Sequence, residues 1–96
     1  MNEKRRAFYE KLDVQMDEWS IQIDQIKART ATVKGEWLSE CSHALETFQH
    51  KHAEALAKVK ELGVAGDEAW DEVVAGMEKI LAEGKAAYHS AVSKFK

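Results

Sequence analysis

The chain has 96 residues, with 14 Lys+Arg against 17 Asp+Glu, no proline, five glycines and one cysteine, for a formal net charge of −3. A chain this short makes one domain that buries about 60–65% of its unfolded surface, and its acidic balance argues against general affinity for nucleic acid or anionic lipid. The lone Cys41 excludes an intramolecular disulfide framework and a cysteine-rich metal site.

No apolar run follows the polar start, Met1 to Tyr9, so neither a secretion signal nor a membrane-spanning segment is expected, and the cytoplasm is the expected compartment. Without proline, and with abundant Ala, Glu, Lys, Leu and Gln, helix is the expectation throughout. The apolar seam Leu12, Met16, Trp19, Ile23, Ile26, Thr30, Val33 and Trp37 advances by alternating steps of four and three residues, which is a heptad pattern. Tyr9 extends the register towards the N-terminus. Beyond Trp37 the seam continues as Cys41, Ala44, Phe48, His52, Ala55, Val59 and Leu62, with two extra four-residue steps that unwind a left-handed supercoil locally.

Between Thr30 and Gly35, two threonines, a valine and a glycine lower helix propensity. Seam spacing nevertheless runs through, so the segment reads as continuous helix; a loop there would instead give three helices of similar length. Leu62-Gly63-Val64-Ala65-Gly66-Asp67 is the clearest break, with a glycine available for a left-handed helix end and Asp67 available as a cap. From Asp67 onward, Trp70, Val73, Val74, Met77, Ile80, Leu81, Gly84, Tyr88, Ala91, Val92 and Phe95 form a face wide enough for more than one neighbour.

The expected fold is therefore all-α: a single coiled-coil domain, residues 1–96, with a helix over about 3–62, a turn at 63–66 and an antiparallel helix over 67–95. At ~1.5 Å per residue these helices are roughly 90 and 43 Å long, an uneven helical hairpin. The short arm leaves Tyr9, Leu12, Met16, Trp19, Ile23 and Ile26 uncovered, and such a stripe calls for a partner. A homodimer is expected, with Tyr9, Leu12, Met16, Trp19, Ile23, Ile26, Val33 and Trp37 as its interface. Ala7, Val14, Ile21, Ala28 and Gly35 recur every heptad on the opposite side, either a low-polarity strip or a small-residue face for further packing or an unknown protein client.

Chemistry is sparse. Glu46, His50 and Glu54 share a helical face with His43 and Cys41 nearby, but one exposed row offers two metal ligands at most where a site needs three or four. Cys41 and His43 point to different sides of a helix and make no nucleophile-base pair. His52 lies on the seam, where it sets register or pH-sensitive pairing. Lys4, Arg5 and Arg6 at a helix start suggest a frayed tip or an ion pair such as Arg6 with Glu10, ahead of contact with an anion. Trp19, Trp37 and Trp70 read as core or interface anchors. No catalytic residue, metal site or cofactor is expected, and the chain reads as non-enzymatic.

Several segments resemble a family of small bacterial coiled-coil proteins often labelled stress-response proteins. They are Tyr9-Glu10-Lys11-Leu12, Gln15-Met16-Asp17-Glu18-Trp19 and Ile23-Asp24-Gln25-Ile26-Lys27-Ala28, then Lys60-Glu61-Leu62, Gly66-Asp67-Glu68-Ala69-Trp70, Gly76-Met77-Glu78 and Ser93-Lys94-Phe95-Lys96. Ser39 to His52 departs from that family in being richer in His, Cys and aromatic residues. The resemblance implies a general stress-associated role and no catalytic residue. The sequence thus leads to a self-assembling scaffold or client-binding protein. Two alternatives are a peripheral membrane or lipid-associated amphipathic helical protein, with membrane contact disfavoured by its charge, and a monomeric three-helix-bundle binding domain.

Overall fold

The computed structural model describes residues 3–95; Met1, Asn2 and Lys96, the last of which ends the Phe-Lys terminus of the resemblance, lie outside the described residues. The described chain is all-α, with three helices: α1 (Glu3–Thr30), α2 (Trp37–Val64) and α3 (Asp67–Ser93). Among the described residues no helix is long and apolar enough to cross a membrane.

The expected single helix over 3–62 is therefore two helices, broken at residues 31–36. Local chemistry and closure both favour the break. The Thr30 hydroxyl donates to the Ile26 carbonyl at 2.8 Å and the Thr32 hydroxyl to the Arg29 carbonyl at 2.7 Å, bonds that compete with continued helix. Gly35 then takes φ 76°, a left-handed conformation that reverses the chain at little cost for glycine. Folding back across six residues covers the α1 stripe with the chain's own helices, and closing so short a loop is entropically cheap.

The second connection is tighter than the expected turn at 63–66. Gly63 stays helical, α2 runs to Val64, and only Ala65 and Gly66 link it to α3. Neither residue is left-handed: Gly66 is extended at φ −77°, ψ 176°. Asp67 is the first residue of α3 and makes no cap hydrogen bond; its carboxylate pairs with Arg5.

Contacts along the bundle give an up-down-up order, 51 Å long and 18 Å across. Trp19 meets Phe48 and the Tyr9 hydroxyl nears Gly63, so α1 and α2 are antiparallel. Phe48 meets Tyr88, and the Trp37 indole donates to the Lys94 carbonyl, so α2 and α3 are antiparallel too. Parallel α1 and α3 meet through Arg5 with Asp67, Tyr9 with Trp70 and Arg29 with Phe95. The core is one continuous cluster that draws Leu12, Trp19 and Ile26 from α1, Phe48, Ala55 and Leu62 from α2, and Val73, Met77, Ile80 and Ala91 from α3.

Between α2 and α3, Lys51 lies 3.4 Å from Glu54 and 3.3 Å from Glu83. Its hydrogen bond to Glu83, helped by Glu54, holds the ammonium pKa above the ordinary 10.5. A raised folded-state pKa gives stability that is complete below 10.5 and lost as pH climbs through the folded value. Urea midpoints should accordingly be flat from pH 7 to 9 with respect to this group and fall at higher pH. Lys51→Met should show a smaller fall above pH 10.5, and an equal fall would place the alkaline loss elsewhere.

Candidate functional site: the groove between α1 and α3

Every residue expected at a homodimer interface has a place in this bundle. Leu12, Met16, Trp19, Ile23 and Ile26 are buried against the same chain, Tyr9 and Val33 are half-buried, and Trp37 is 45% exposed beside the end of α3. The stripe whose exposure called for a second copy is thus covered within one chain. The opposite strip stays open: Val14 is 66% and Ile21 58% exposed, with Ala7 and Ala28 exposed in line with them.

The histidines and Cys41 are dispersed. Cys41 is fully buried while His43 is exposed. His50 Nε2 lies 3.1 Å from Glu54 on the surface of α2, and His52 packs its ring 6.3 Å from that of Trp19. Among the described residues, no three His, Cys, Asp or Glu side chains are grouped to hold a metal ion. In the basic N-terminal cluster, Arg5 reaches across helices: its guanidinium lies 4.4 Å over the Trp70 ring and pairs with Asp67, whereas Arg6 and Glu10 form no ion pair. Placing a cation at a helix N-terminus is unfavourable, and the acidic start of the parallel helix α3 offsets it.

Concavity appears where α1 and α3 run side by side. There the outer edge of the Trp19 ring abuts Gly84, where a side chain on α3 would leave no room for the indole. On either side of that contact the surface between α1 and α3 is concave. One concavity, about 430 Å³, is lined by Lys11, Gln15, Glu18, Trp19, Gln22, Leu81, Lys85, Tyr88 and His89. A second concavity, about 410 Å³, shares Tyr88 with the first and lies along Ile26, Arg29 and Val92, and the two in line form the groove. From Lys11 to Arg29 the groove follows α1 for roughly 27 Å at ~1.5 Å per residue.

Its floor is Trp19, Ile26 and the half-buried Leu81, Tyr88 and Val92, and its rim is polar. Exposed Lys11, Lys85 and Arg29 on that rim face a single carboxylate, Glu18. This local positive balance runs against the chain's net charge of −3. Sequence periodicity assigned Trp19 and Gly84 to apolar faces without bringing them together. The available signal was Gly84 itself, since glycine inside a helix costs about 1 kcal/mol relative to alanine and marks a place where something approaches the backbone closely. No protein-family model, curated protein or solved structure matches the chain.

Proposed function

We propose that this protein is a non-enzymatic helical interaction module whose α1/α3 groove receives an acidic amphipathic helix of a partner protein. The observation that carries the reading is the groove itself: about five helical turns long, apolar along its floor and rimmed by Lys11, Lys85 and Arg29. A helix laid there meets α1 and α3 as a fourth member of the bundle, burying its apolar face on Trp19, Leu81, Tyr88 and Val92. Acidic flanks on that helix match the rim cations, which favours encounter and sets orientation. A lone groove carboxylate and the dispersal of Cys41 and the histidines support a binding role over catalysis.

Homodimerisation of closed bundles by pairing two α1 stripes is the less economical reading, because in the closed bundle those side chains already fill the core. The wide face of α3, which a lipid-associated helix would have to present, is likewise turned into the core through Val73, Met77, Ile80 and Ala91.

Two 18-residue probe peptides test the groove, one with a leucine face flanked by glutamates and one with the same face flanked by lysines. Titrated into labelled protein, the acidic peptide should move the Trp19 indole N–H and the Lys85 amide resonances, with binding that weakens as salt rises. Lys11→Glu with Lys85→Glu should reverse the preference towards the basic peptide. Equal shifts from both peptides, or none from either, would refute the charge-matched groove.

A further inference from the structure

The α1–α2 loop interrupts a seam that the sequence carries through without a break, and this combination points to a second folded state. On a continuous helix, Ile26, Thr30, Val33, Trp37 and Cys41 would fall on one face. In the bundle, the loop exposes Trp37 by 45% and leaves Val33 half-buried, so the middle of the seam lacks the cover that its two ends have. Residues 31–36 contain no proline, and Gly35 is the one glycine with positive φ among the described residues. Hydrogen bonds special to the turn are few: Thr32 N–H and hydroxyl to the Arg29 carbonyl at 3.1 and 2.7 Å, Val33 N–H to the Thr30 carbonyl at 3.1 Å and Leu38 N–H to the Gly35 carbonyl at 3.2 Å.

We propose that the chain also forms a domain-swapped dimer with a second copy of itself, in which residues 31–36 become helical, α1 and α2 join into one rod, and each α1 packs on the α2/α3 hairpin of the other copy. The contacts of the closed bundle are kept in this exchange, because Trp19 on Phe48, Tyr9 on Trp70 and Arg5 on Asp67 form between chains in place of within one. Trp19 with Phe48, Trp19 with His52 and Tyr9 with Gly63 all centre between residues 33 and 36, so the two-fold axis of the paired rods passes through the hinge. The hinge segments of the two copies, with Val33 and Trp37 among them, then face each other across the axis. The uncovered middle of the seam gains a partner there, at the cost of the Trp37 bond to the Lys94 carbonyl and of straightening Gly35.

Two hinge substitutions move the equilibrium in opposite directions. Gly35→Ala penalises the left-handed turn and favours helix, so it should raise dimer association by roughly tenfold or more. Glu36→Pro should do the reverse. Glu36 already has φ −63° just before the first turn of α2, which proline accepts, while inside a continuous rod proline removes a hydrogen bond and clashes with the preceding turn. Each protein is refolded from denaturant at millimolar concentration as an equal mixture of isotope-labelled and unlabelled chains, and its mass is then measured by light scattering after size exclusion.

The expected result is a dimer population that increases with Gly35→Ala and vanishes with Glu36→Pro, with Trp19–Phe48 nuclear Overhauser effects crossing between labelled and unlabelled chains in the dimer. A Gly35→Ala protein that stays monomeric overturns the proposal. So does a dimer whose Trp19–Phe48 contacts remain within one chain, or one that Glu36→Pro leaves intact. If Gly35→Ala fails to fold, the wild type compared with Glu36→Pro decides on the same readings.

Discussion

Replacing Phe48 with alanine is expected to cost about 3–5 kcal/mol of folding stability, the range for deleting a large aromatic side chain from a close-packed core. Phe48 is fully buried on α2, and its ring lies 5.4 Å from that of Trp19 on α1 and 5.6 Å from that of Tyr88 on α3. One side chain thus joins all three helices at mid-bundle. Its removal forfeits the transfer free energy of the ring and leaves a cavity that three separately anchored helices cannot collapse to fill. A domain of this kind has about 5–15 kcal/mol in total, so urea melts should show a midpoint lowered by roughly a fifth or more. Exposed apolar residues set the contrast: Val14→Ala or Ile21→Ala should change stability by no more than about 0.5 kcal/mol. A loss below about 1 kcal/mol at Phe48 would contradict the central packing of α2.

Much of this arrangement is legible in the seam. The register Leu12, Met16, Trp19, Ile23, Ile26 and then Cys41, Ala44, Phe48, Ala55, Leu62 names buried residues on α1 and α2, because periodicity reports which side of a helix is apolar wherever that helix goes. Periodicity does not report what covers that side. An apolar stripe is satisfied equally by a second chain or by its own chain folding back, and Thr30-Ala31-Thr32-Val33-Lys34-Gly35 keeps the same spacing in either case. What decides is the left-handed turn at Gly35 together with the low cost of closing a short loop, and neither leaves a mark on the heptad count.

The candidate groove was harder to read. It depends on Trp19 of α1 meeting Gly84 of α3, a contact between residues far apart in sequence, and on the side chains that flank this contact. Lys11, Lys85 and Arg29 look like scattered surface cations until parallel α1 and α3 bring them to one rim. Arg5 illustrates the same limit. Its sequence neighbours offered a helix-internal pair of Arg6 with Glu10, while the fold supplied Asp67 and the face of Trp70 from the far end of the chain.

Gly84→Ala is expected to destabilise the protein by about 2 kcal/mol, although alanine is the better helix former by about 1 kcal/mol. A β-carbon at this position would lie 2.6 and 2.7 Å from Cζ2 and Cζ3 of Trp19 and closer still to Cη2, where real side chains do not approach. The ring has little freedom to retreat, being 3% exposed and held against Phe48 and His52. Overpacking a fixed core costs about 1–3 kcal/mol, and displacing an indole that also spaces two helices belongs at or above the top of that range, which leaves the net loss after the propensity gain. At about 4–8 °C per kcal/mol for a domain of this size, Tm should fall by roughly 8–16 °C. The sign of the effect depends on the ring. In a Trp19→Leu background the obstruction is gone, and Gly84→Ala should become neutral or stabilising by up to about 1 kcal/mol, so the two substitutions should couple by about 2–3 kcal/mol in a double-mutant cycle. Additive effects would mean that Trp19 does not rest on Gly84, and the groove that depends on this contact would lose its basis. The same cycle reaches the binding proposal, because moving the indole reshapes the groove floor: Gly84→Ala protein that remains folded should bind the acidic probe peptide more weakly, while Lys11 and Lys85 stay in place on the rim.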